Sequence, residues 1–280
     1  MIYLILAIFC SSSLALILKH GRVKNSNTVL LINGNYATAS FFSLAFIIFK
    51  QEFNYSFEVL LFGAGLGILF AVTFVIYSKG ISLAGTALAT VSARLSVLIP
   101  VLFSILFFGE SPNIKMIFGF VLALVTLYLF YLSLKNHGSV EGRKGKYIYL
   151  ISLLVGIGFV DFSMKIFEQN FPISEKGIFV FTIFFSAFIY TAIYLLVKKI
   201  RFDKSTFNLG LILGIPNVLA IHFLLAALSM LPAIIVFPIQ NIGVIVITAV
   251  AAYLIWKEQI NLYGKIAIAV GIAAILLLKL

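Results

Sequence analysis

The sequence predicts an all-α integral membrane protein with ten transmembrane helices, arranged as two inverted repeats of five helices. Three observations predict it: an extreme composition, ten long apolar runs, and a similarity between the two halves of the chain. Hydrophobic residues make up 62% of the 280 residues and charged residues only 10%. A soluble domain is about 45–50% apolar and about 25% charged, so lipid must surround much of this chain.

The ten apolar runs approach or exceed the roughly 17–25 residues that a membrane-spanning helix needs. We predict that the first run is a retained span, because it lacks the basic start and the small-residue cleavage site of a signal peptide. Polar or helix-breaking segments such as His20-Gly21-Arg22 and Glu110-Ser111-Pro112 separate the runs. The predicted helices are 1–18, 28–49, 59–78, 82–108, 113–134, 147–167, 178–197, 208–229, 231–256 and 261–279.

The longest separator, Lys135 to Lys146, divides the chain into the predicted repeats 1–135 and 146–280. Corresponding features recur about 147 positions apart. Since each unit has an odd number of spans, the second must be inverted relative to the first, as in many secondary transporters. The matched features are Lys19 with Lys165, Glu110 with Glu258, Tyr77–Leu83 with Leu224–Met230, and Arg94 with Asn241 or Gln240.

The basic residues predict the orientation. Of the 20 lysines and arginines, 14 lie in the odd-numbered loops. The positive-inside rule therefore predicts cytoplasmic odd loops, with both termini outside the plasma (inner) membrane. The net charge of +11 does not indicate nucleic-acid binding, because the charges occur in short bursts between spans.

Two similar segments close the halves, and on them the chain resembles the ten-helix EamA-type branch of the drug/metabolite transporter superfamily. In the first half the matching residues are Lys79-Gly80-Ile81-Ser82, Pro100-Val101, Phe107-Phe108-Gly109-Glu110 and Gly119. In the second they are Ala226-Ala227-Leu228, Pro232-Ala233, Phe237-Pro238-Ile239, Trp256-Lys257-Glu258, Gly264 and Gly271.

The resemblance extends over essentially the whole chain. It implies a solute carrier whose pathway is lined mainly by helices 1, 3, 4, 6, 8 and 9, without naming a substrate. Many similar proteins have cytoplasmic termini, whereas the charge count here predicts external ones. Charge placement is closer to that of the glucose- and rhamnose-uptake branches, so import and export both stay open.

Arg94 is the strongest candidate for a functional residue. It lies twelve residues from Ser82 and fourteen from Phe108, about 18–21 Å from each end of predicted helix 4. Charged groups at such depth are costly and mark pathways or internal ion pairs. A guanidinium there can bind a carboxylate or phosphate through two hydrogen bonds. The alternative is a permanent Arg94–Asp161 ion pair that joins helices 4 and 6.

Asp161 and Lys165 are spaced to share one face of predicted helix 6 and can pair. Because an apolar environment disfavours an ionised carboxylate, Asp161 is a candidate carrier of a coupling proton. The alternative is a salt bridge near the helix end that shields both charges. His222, in predicted helix 8, is either a proton relay or a neutral histidine bonded to a neighbouring helix.

Polar side chains inside spans are expected to point into the bundle, where they contact solute or other helices. The candidate solute-binding residues are Arg94, Asn35, Tyr36, Asn217, Gln240 and Asn241. The candidates for coupling or gating are Asp161, Lys165, His222, Pro100 and Pro238. Glu110 and Glu258 are predicted to cap or anchor helix ends.

Each of the two candidate prolines removes a backbone hydrogen bond, which favours a kink and hence a hinge. The bland alternative is that prolines are common in transmembrane helices. Glycines on helices 3, 6 and 8 are predicted to allow close packing between helices. They are Gly63, Gly65, Gly67, Gly156, Gly158, Gly210 and Gly214.

Together these features predict a secondary transporter of a small polar metabolite, anionic or zwitterionic and amino-acid- or sugar-like, that works by alternating access. An intramembrane enzyme is disfavoured, because catalytic or metal-binding motifs are missing from the sequence. No cofactor is expected. The expected partners are the solute and the bilayer, without nucleic acid, and a homodimer is compatible with the chain. The alternative function is a non-transporting scaffold or accessory subunit.

Overall fold

The computed structural model describes residues 1–23, 27–51, 53–135, 145–257 and 261–279. Within them the chain forms ten α-helices. They are α1 (Ile2–Val23), α2 (Thr28–Lys50), α3 (Phe57–Leu95), α4 (Leu98–Phe108), α5 (Ile114–Lys135), α6 (Lys146–Asn170), α7 (Lys176–Val197), α8 (Lys204–Leu228), α9 (Ala233–Trp256) and α10 (Leu262–Lys279). Glu258 and the side chain of Lys19 lie outside the described part.

The length and apolar character of the helices confirm a multi-spanning membrane protein. Eight segments are long and apolar enough to cross a bilayer. Two shorter apolar segments, Ile2–Leu18 and Leu262–Leu278, complete the ten that the sequence predicts. The proposed boundaries of the repeats, 1–135 and 146–280, stay a prediction, since most of the separator lies outside the described residues.

The helix α3 contains the predicted third span and the start of the fourth. A Cβ placed on Gly80 would lie 4.0 Å from the Cβ of Ala89. Nine residues of straight helix would separate them by about 13.5 Å. The chain therefore reverses direction between Gly80 and Ala89 while its backbone stays helical. The candidate spans on either side of the reversal are Phe57–Ile81 and Leu88–Phe108.

The fourth span is interrupted one turn before Pro100, as the sequence predicts. α3 ends at Leu95 and α4 begins at Leu98. Proline has no N–H to donate to the Ser96 carbonyl. That carbonyl instead accepts from the N–H of Ile99, at 3.0 Å. Pro238 differs, because α9 continues through it. A hinge role for either proline stays a prediction.

Packing between the helices follows the two-fold relation that an inverted repeat requires. α1 packs on α8 as α6 packs on α3, and α2 packs on α8 as α7 packs on α3. α2, α4 and α5 pack against their own counterparts, α7, α9 and α10. Contacts between counterparts occur where the symmetry axis passes, so the axis runs through these three pairs.

Corresponding helix ends are capped in the same way in the two halves. Ser56 and Asp203, 147 positions apart, each accept a hydrogen bond from the backbone N–H three residues later. Asn113 and Asn261, 148 positions apart, do the same at the starts of α5 and α10. Residues in the left-handed conformation follow corresponding helices at the same separation: Gln51 with Lys199, and Gly109 with Lys257.

Glycines bring the backbones of the two halves together at corresponding sites. A Cβ on Gly210 of α8 would overlap the carbonyl oxygen of Leu31 on α2. Its counterpart Gly63 packs α3 on α7 less tightly, since a Cβ there would lie 3.3 Å from the carbonyl oxygen of Phe179. Gly214 and Gly67 are more alike, because a Cβ on either would lie 2.5 Å from a backbone oxygen of the facing helix. The predicted close packing is thus confirmed at these positions. Gly65 is the exception, because a Cβ there would meet no atom within 4 Å.

The bundle has two faces, which hydrogen bonds between helix ends identify. One face is where α1 begins, and we call it the N-terminal face. There Ser56, the residue before α3, donates to Glu175, the residue before α7, at 2.7 Å. At the opposite face, Ser133 near the end of α5 donates to Asn261 before α10, also at 2.7 Å. The ends of α2, α4, α6 and α8 lie at the N-terminal face.

Four phenylalanines hold the joined ends of α6 and α7 against the start of α3. The rings of Phe167 and Phe179 stack with centroids 4.1 Å apart. Phe62 stacks on Phe179 at 5.5 Å and on Phe171 at 5.6 Å. Phe171 also stacks on Phe167, at 5.7 Å. Aromatic pairs of this kind add about 0.5–1.5 kcal/mol each beyond burial of their area.

The glycine contacts give a direct test of the fold. We expect Gly210→Ala to lower the free energy of unfolding by about 1–3 kcal/mol, because the backbone of α2 cannot recede without repacking. Gly65→Ala is the matched control and should leave stability unchanged or raise it by up to ~1 kcal/mol through helix propensity. Thermal unfolding of the detergent-purified variants measures both. Equal stability of the two variants would contradict the packing described.

Candidate functional site

Arg94 contacts the residue that corresponds to it in the other half. Its Nη1 donates to Oδ1 of Asn241 at 3.1 Å. The Nδ2 of Asn241 donates to the carbonyl oxygen of Phe237 at 3.0 Å, which fixes the amide with its oxygen toward Arg94. Because the two residues are 147 positions apart, this contact marks the symmetry axis inside the bundle.

The hydrogen-bond donors of Arg94 are only partly satisfied by this contact. Its Nε is buried without a hydrogen-bond partner. The Asp161 carboxylate is close enough to interact with it electrostatically. Within the described part of the chain, no hydrogen bond or ion pair reaches the Asp161 carboxylate. The direct Arg94–Asp161 ion pair that the sequence left open is therefore not formed in this structure.

A small cavity lies beside Arg94, with a volume of about 30 Å³. That is enough for a water molecule but not for a metabolite. Its walls come from α3, the second half of α5, and α9. The lining residues are Thr90, Val91, Arg94, Leu127, Phe130 and Ile245. A solute can reach this position only if helices move apart.

Arg94 lies six residues into the described part of its apolar segment, which begins at Leu88. At 1.5 Å per residue, that is about 9 Å along the helix from Leu88. The chain reverses direction between Gly80 and Ala89, later than the sequence placed the reversal, so Arg94 lies nearer to the opposite face than predicted.

The Asp161–Lys165 pair that the spacing allows is not formed in this structure. Lys165 is 3% exposed, and its ammonium lies 2.7 Å from Glu168 Oε2 and 3.3 Å from Glu110 Oε1. Asp161 is one turn farther from the N-terminal face. The turn after α4 brings Glu110 to that face, where the sequence offered no sign that it would meet α6.

Glu110 closes the start of α9, which confirms the prediction that it caps a helix end. Its Oε1 accepts from the N–H of Ala233 at 2.8 Å, and its Oε2 from that of Ile234 at 3.5 Å. Sequence analysis missed the association of Glu110 with Lys165. In the repeat pattern Glu110 corresponds to Glu258 and Lys165 to Lys19, which does not link Glu110 with Lys165.

His222 lies toward the end of α8 at the N-terminal face. It is six residues before the end of α8, and its carbonyl oxygen accepts from the Lys176 ammonium at 2.7 Å. Its ring stacks on Phe46, with centroids 5.3 Å apart, while its Nε2 is buried without a partner. A relay role for His222 stays a prediction.

Two of the candidate solute-binding amides bind each other. The Nδ2 of Asn217 on α8 donates to Oδ1 of Asn35 on α2 at 3.1 Å. The neighbouring Tyr36 is buried and packs against Phe184, with ring centroids 6.2 Å apart. Gln240, next to Asn241, differs from this group, because its Oε1 is buried without a partner. The structure thus joins Arg94 with Asn241, and Asn35 with Asn217.

Comparison with known proteins agrees with the fold. A family model, the EamA-like transporter family, matches residues 1–132. An "Uncharacterized protein" of Haemophilus influenzae is 30% identical over 286 residues, which cover 97% of this chain and 95% of that one. A crystal structure of another protein covers 99% of this chain and 94% of its own, with a TM-score of 0.80 and 16% identity. The last likeness concerns the fold alone.

The amide pair can be tested for a structural role. We expect Asn217→Leu to lower stability by about 1 kcal/mol, because it leaves the Asn35 amide unpaired between helices. The double variant Asn35→Leu/Asn217→Leu should recover part of that loss. Thermal unfolding of the purified single and double variants measures the coupling. Strictly additive losses would show that the pair does not stabilise the fold.

Proposed function

Because this chain belongs to the EamA-like transporter family of the drug/metabolite transporter superfamily, we propose that it is a secondary transporter that moves a small polar metabolite by alternating access. The multi-pass membrane fold supports this proposal. So does the inverted repeat, because secondary transporters built this way bind solute between their two halves near the middle of the bilayer. Transport families of this kind are not enzymes, and we propose no catalytic role.

The observation that carries the proposal is the Arg94–Asn241 contact. It lies on the axis between the halves, where a site would be exposed to each side in turn. Arg94 also retains an unpartnered Nε. A cation with unfilled donors inside an apolar bundle is costly, and a bound anionic group would offset that cost.

The solute class follows from the two charges of the site. Arg94 offers donors to a carboxylate or phosphate, while the unpaired Asp161 offers an acceptor to an ammonium or hydroxyl group. We propose an anionic or zwitterionic metabolite, with Arg94 binding its acid group. Gln240 and Asn241 would supply amide contacts next to it. An amino-acid-like solute would use both charges, and an acidic sugar derivative would use mainly Arg94.

We propose that the protein lies in the plasma membrane with both termini outside, on the charge bias of its loops. The proposed partners are the solute and the lipid bilayer, and a second copy of the chain is compatible with the exposed apolar helix surfaces. Arg94 is proposed to act in binding. Asp161 is proposed to act in coupling.

A thermal-shift screen of the purified protein against a metabolite library tests the proposal. A ligand that binds only the folded state raises the melting temperature by mass action. Hits that share a carboxylate or phosphate would support Arg94 as the counter-ion and would name compounds for liposome uptake. Hits confined to neutral sugars would contradict the role of Arg94. Compounds that bind but are not moved across liposomes would contradict transport.

Removal of the guanidinium tests the binding role of Arg94. We expect Arg94→Ala to weaken solute binding about 10- to 100-fold, because a hydrogen bond to a charged group contributes about 1.5–3 kcal/mol. Isothermal titration with the compound found in the screen measures it. Lys115→Ala removes an exposed cation at the N-terminal face and is the control. Unchanged affinity in Arg94→Ala would refute the proposal for this residue.

Neutralising Asp161 tests proton coupling. We expect Asp161→Asn to exchange solute across liposomes but to lose accumulation driven by a pH gradient, since an amide cannot carry the proton. Asp203→Asn changes an exposed carboxylate at the start of α8 and should keep accumulation. Continued accumulation by Asp161→Asn would exclude this residue as the proton carrier.

A further inference from the structure

Three charged side chains form a buried cluster at the N-terminal face. The ammonium of Lys165 lies between the carboxylates of Glu168, at 2.7 Å, and Glu110, at 3.3 Å. The side chains are only 4%, 15% and 11% exposed, for Lys165, Glu168 and Glu110 in turn. Gln169 donates a further hydrogen bond to Glu168 at 2.8 Å. We call Lys165, Glu110 and Glu168 the ion-pair cluster.

The ion-pair cluster joins the two halves of the protein. Glu110 follows α4 of the first half, whereas Lys165 and Glu168 belong to α6 of the second. Glu110 also holds the first turn of α9 through the N–H groups of Ala233 and Ile234. A single carboxylate therefore connects the end of α4, the end of α6 and the start of α9.

The position of the cluster relates it to the candidate site. α9 begins under Glu110 and carries Asn241, the partner of Arg94, eight residues farther on. The small cavity beside Arg94 instead reaches Leu127 and Phe130, toward the opposite face. The cluster thus lies on the N-terminal side of Arg94, about 12 Å along α9 from Asn241, and the cavity lies on the other side of Arg94.

The energetics favour a cluster that opens. Burying charges is expensive, and well-packed apolar residues would often hold two helices together at least as well. Charges have the advantage that water can solvate them once they separate. An apolar seal would lose its burial on opening, whereas separated carboxylate and ammonium groups recover their hydration, so an ion pair suits a contact that must form and break.

We propose that the ion-pair cluster is a gate, closed in this structure, which must separate before solute can reach Arg94 from the N-terminal face. This inference rests on the proposed transport function. Separation of Glu110 from Lys165 also changes the support of α9, and through α9 the position of Asn241. Opening of the gate and rearrangement of the Arg94 site are therefore linked by one side chain.

Distance measurement between spin labels tests the gate. In a Cys10→Ser background, labels at Ser111→Cys and Asn170→Cys lie on exposed positions beside the cluster, on α4's following turn and at the end of α6. Pulsed electron resonance on purified protein in lipid nanodiscs gives the distance distribution. We expect Glu110→Gln and Lys165→Met to raise the ratio of long to short distances about tenfold or more, because one partner of a buried pair is removed.

The controls separate a gate from a general loss of structure. Lys165→Arg keeps the charge and should keep the short distance, and Glu58→Gln removes an exposed carboxylate at the same face and should change nothing. If Glu110→Gln does not fold, Glu168→Gln tests the same gate, since Glu168 takes no part in capping α9. Unchanged distances in folded Lys165→Met and in either glutamine variant would overturn the gate.

The outcome does not depend on transport, because the distances are measured without solute. A mobile cluster in a protein that moves no solute would support the gate and count against the proposed function. A rigid cluster in a protein that transports solute would contradict the gate and support the proposed function.

Discussion

Close contact between helix backbones is the constraint on which the rest of this structure depends. In lipid, apolar side chains gain little by leaving one apolar surrounding for another, so helices associate through tight packing and hydrogen bonds. Here the tightest backbone approaches are at Gly210 and Gly214 against α2 and at Gly67 against α7. The α2–α8 and α3–α7 interfaces fix the relative position of the halves. The polar contacts between the halves form at the distances that this position allows.

Polar groups then occupy a limited number of places within the frame. Asn35 and Asn217 bind across one of the glycine interfaces, where the backbones are closest. Arg94 and Asn241 meet on the axis, and the ion-pair cluster lies at the N-terminal face. The ion-pair cluster and the Arg94–Asn241 contact thus join the halves at that face and at the centre, whereas α5 and α10 pair through largely apolar surfaces.

Much of this architecture could be predicted from the sequence. Membrane spans are long and must satisfy their own backbone, so composition and run length located most helices to within a few residues. The shift of 147 positions matched Arg94 with Asn241 or Gln240. Residues that correspond through a two-fold axis can touch only near that axis, and in the structure Arg94 contacts Asn241.

Other features depend on tertiary geometry that no local pattern carries. The spacing of Asp161 and Lys165 allowed a pair, but the choice of Glu110 and Glu168 instead was set by where the turn after α4 lies. The stack of Phe62, Phe167, Phe171 and Phe179 joins residues far apart in a chain with 29 phenylalanines, so sequence could not single them out. The reversal between Gly80 and Ala89 comes later in the chain than predicted, and it was missed because the backbone stays helical through it.

The contact on the axis has a consequence for how such a protein can be assembled. Two identical five-helix chains, related by a true two-fold, would bring together either two arginines or two asparagines at this point. Two arginines would repel each other, and two asparagines would provide no charge. The pairing of Arg94 with Asn241 needs halves of different sequence, and a single fused chain guarantees one copy of each. A symmetric dimer of identical five-helix chains could therefore not hold this charged pair at its axis.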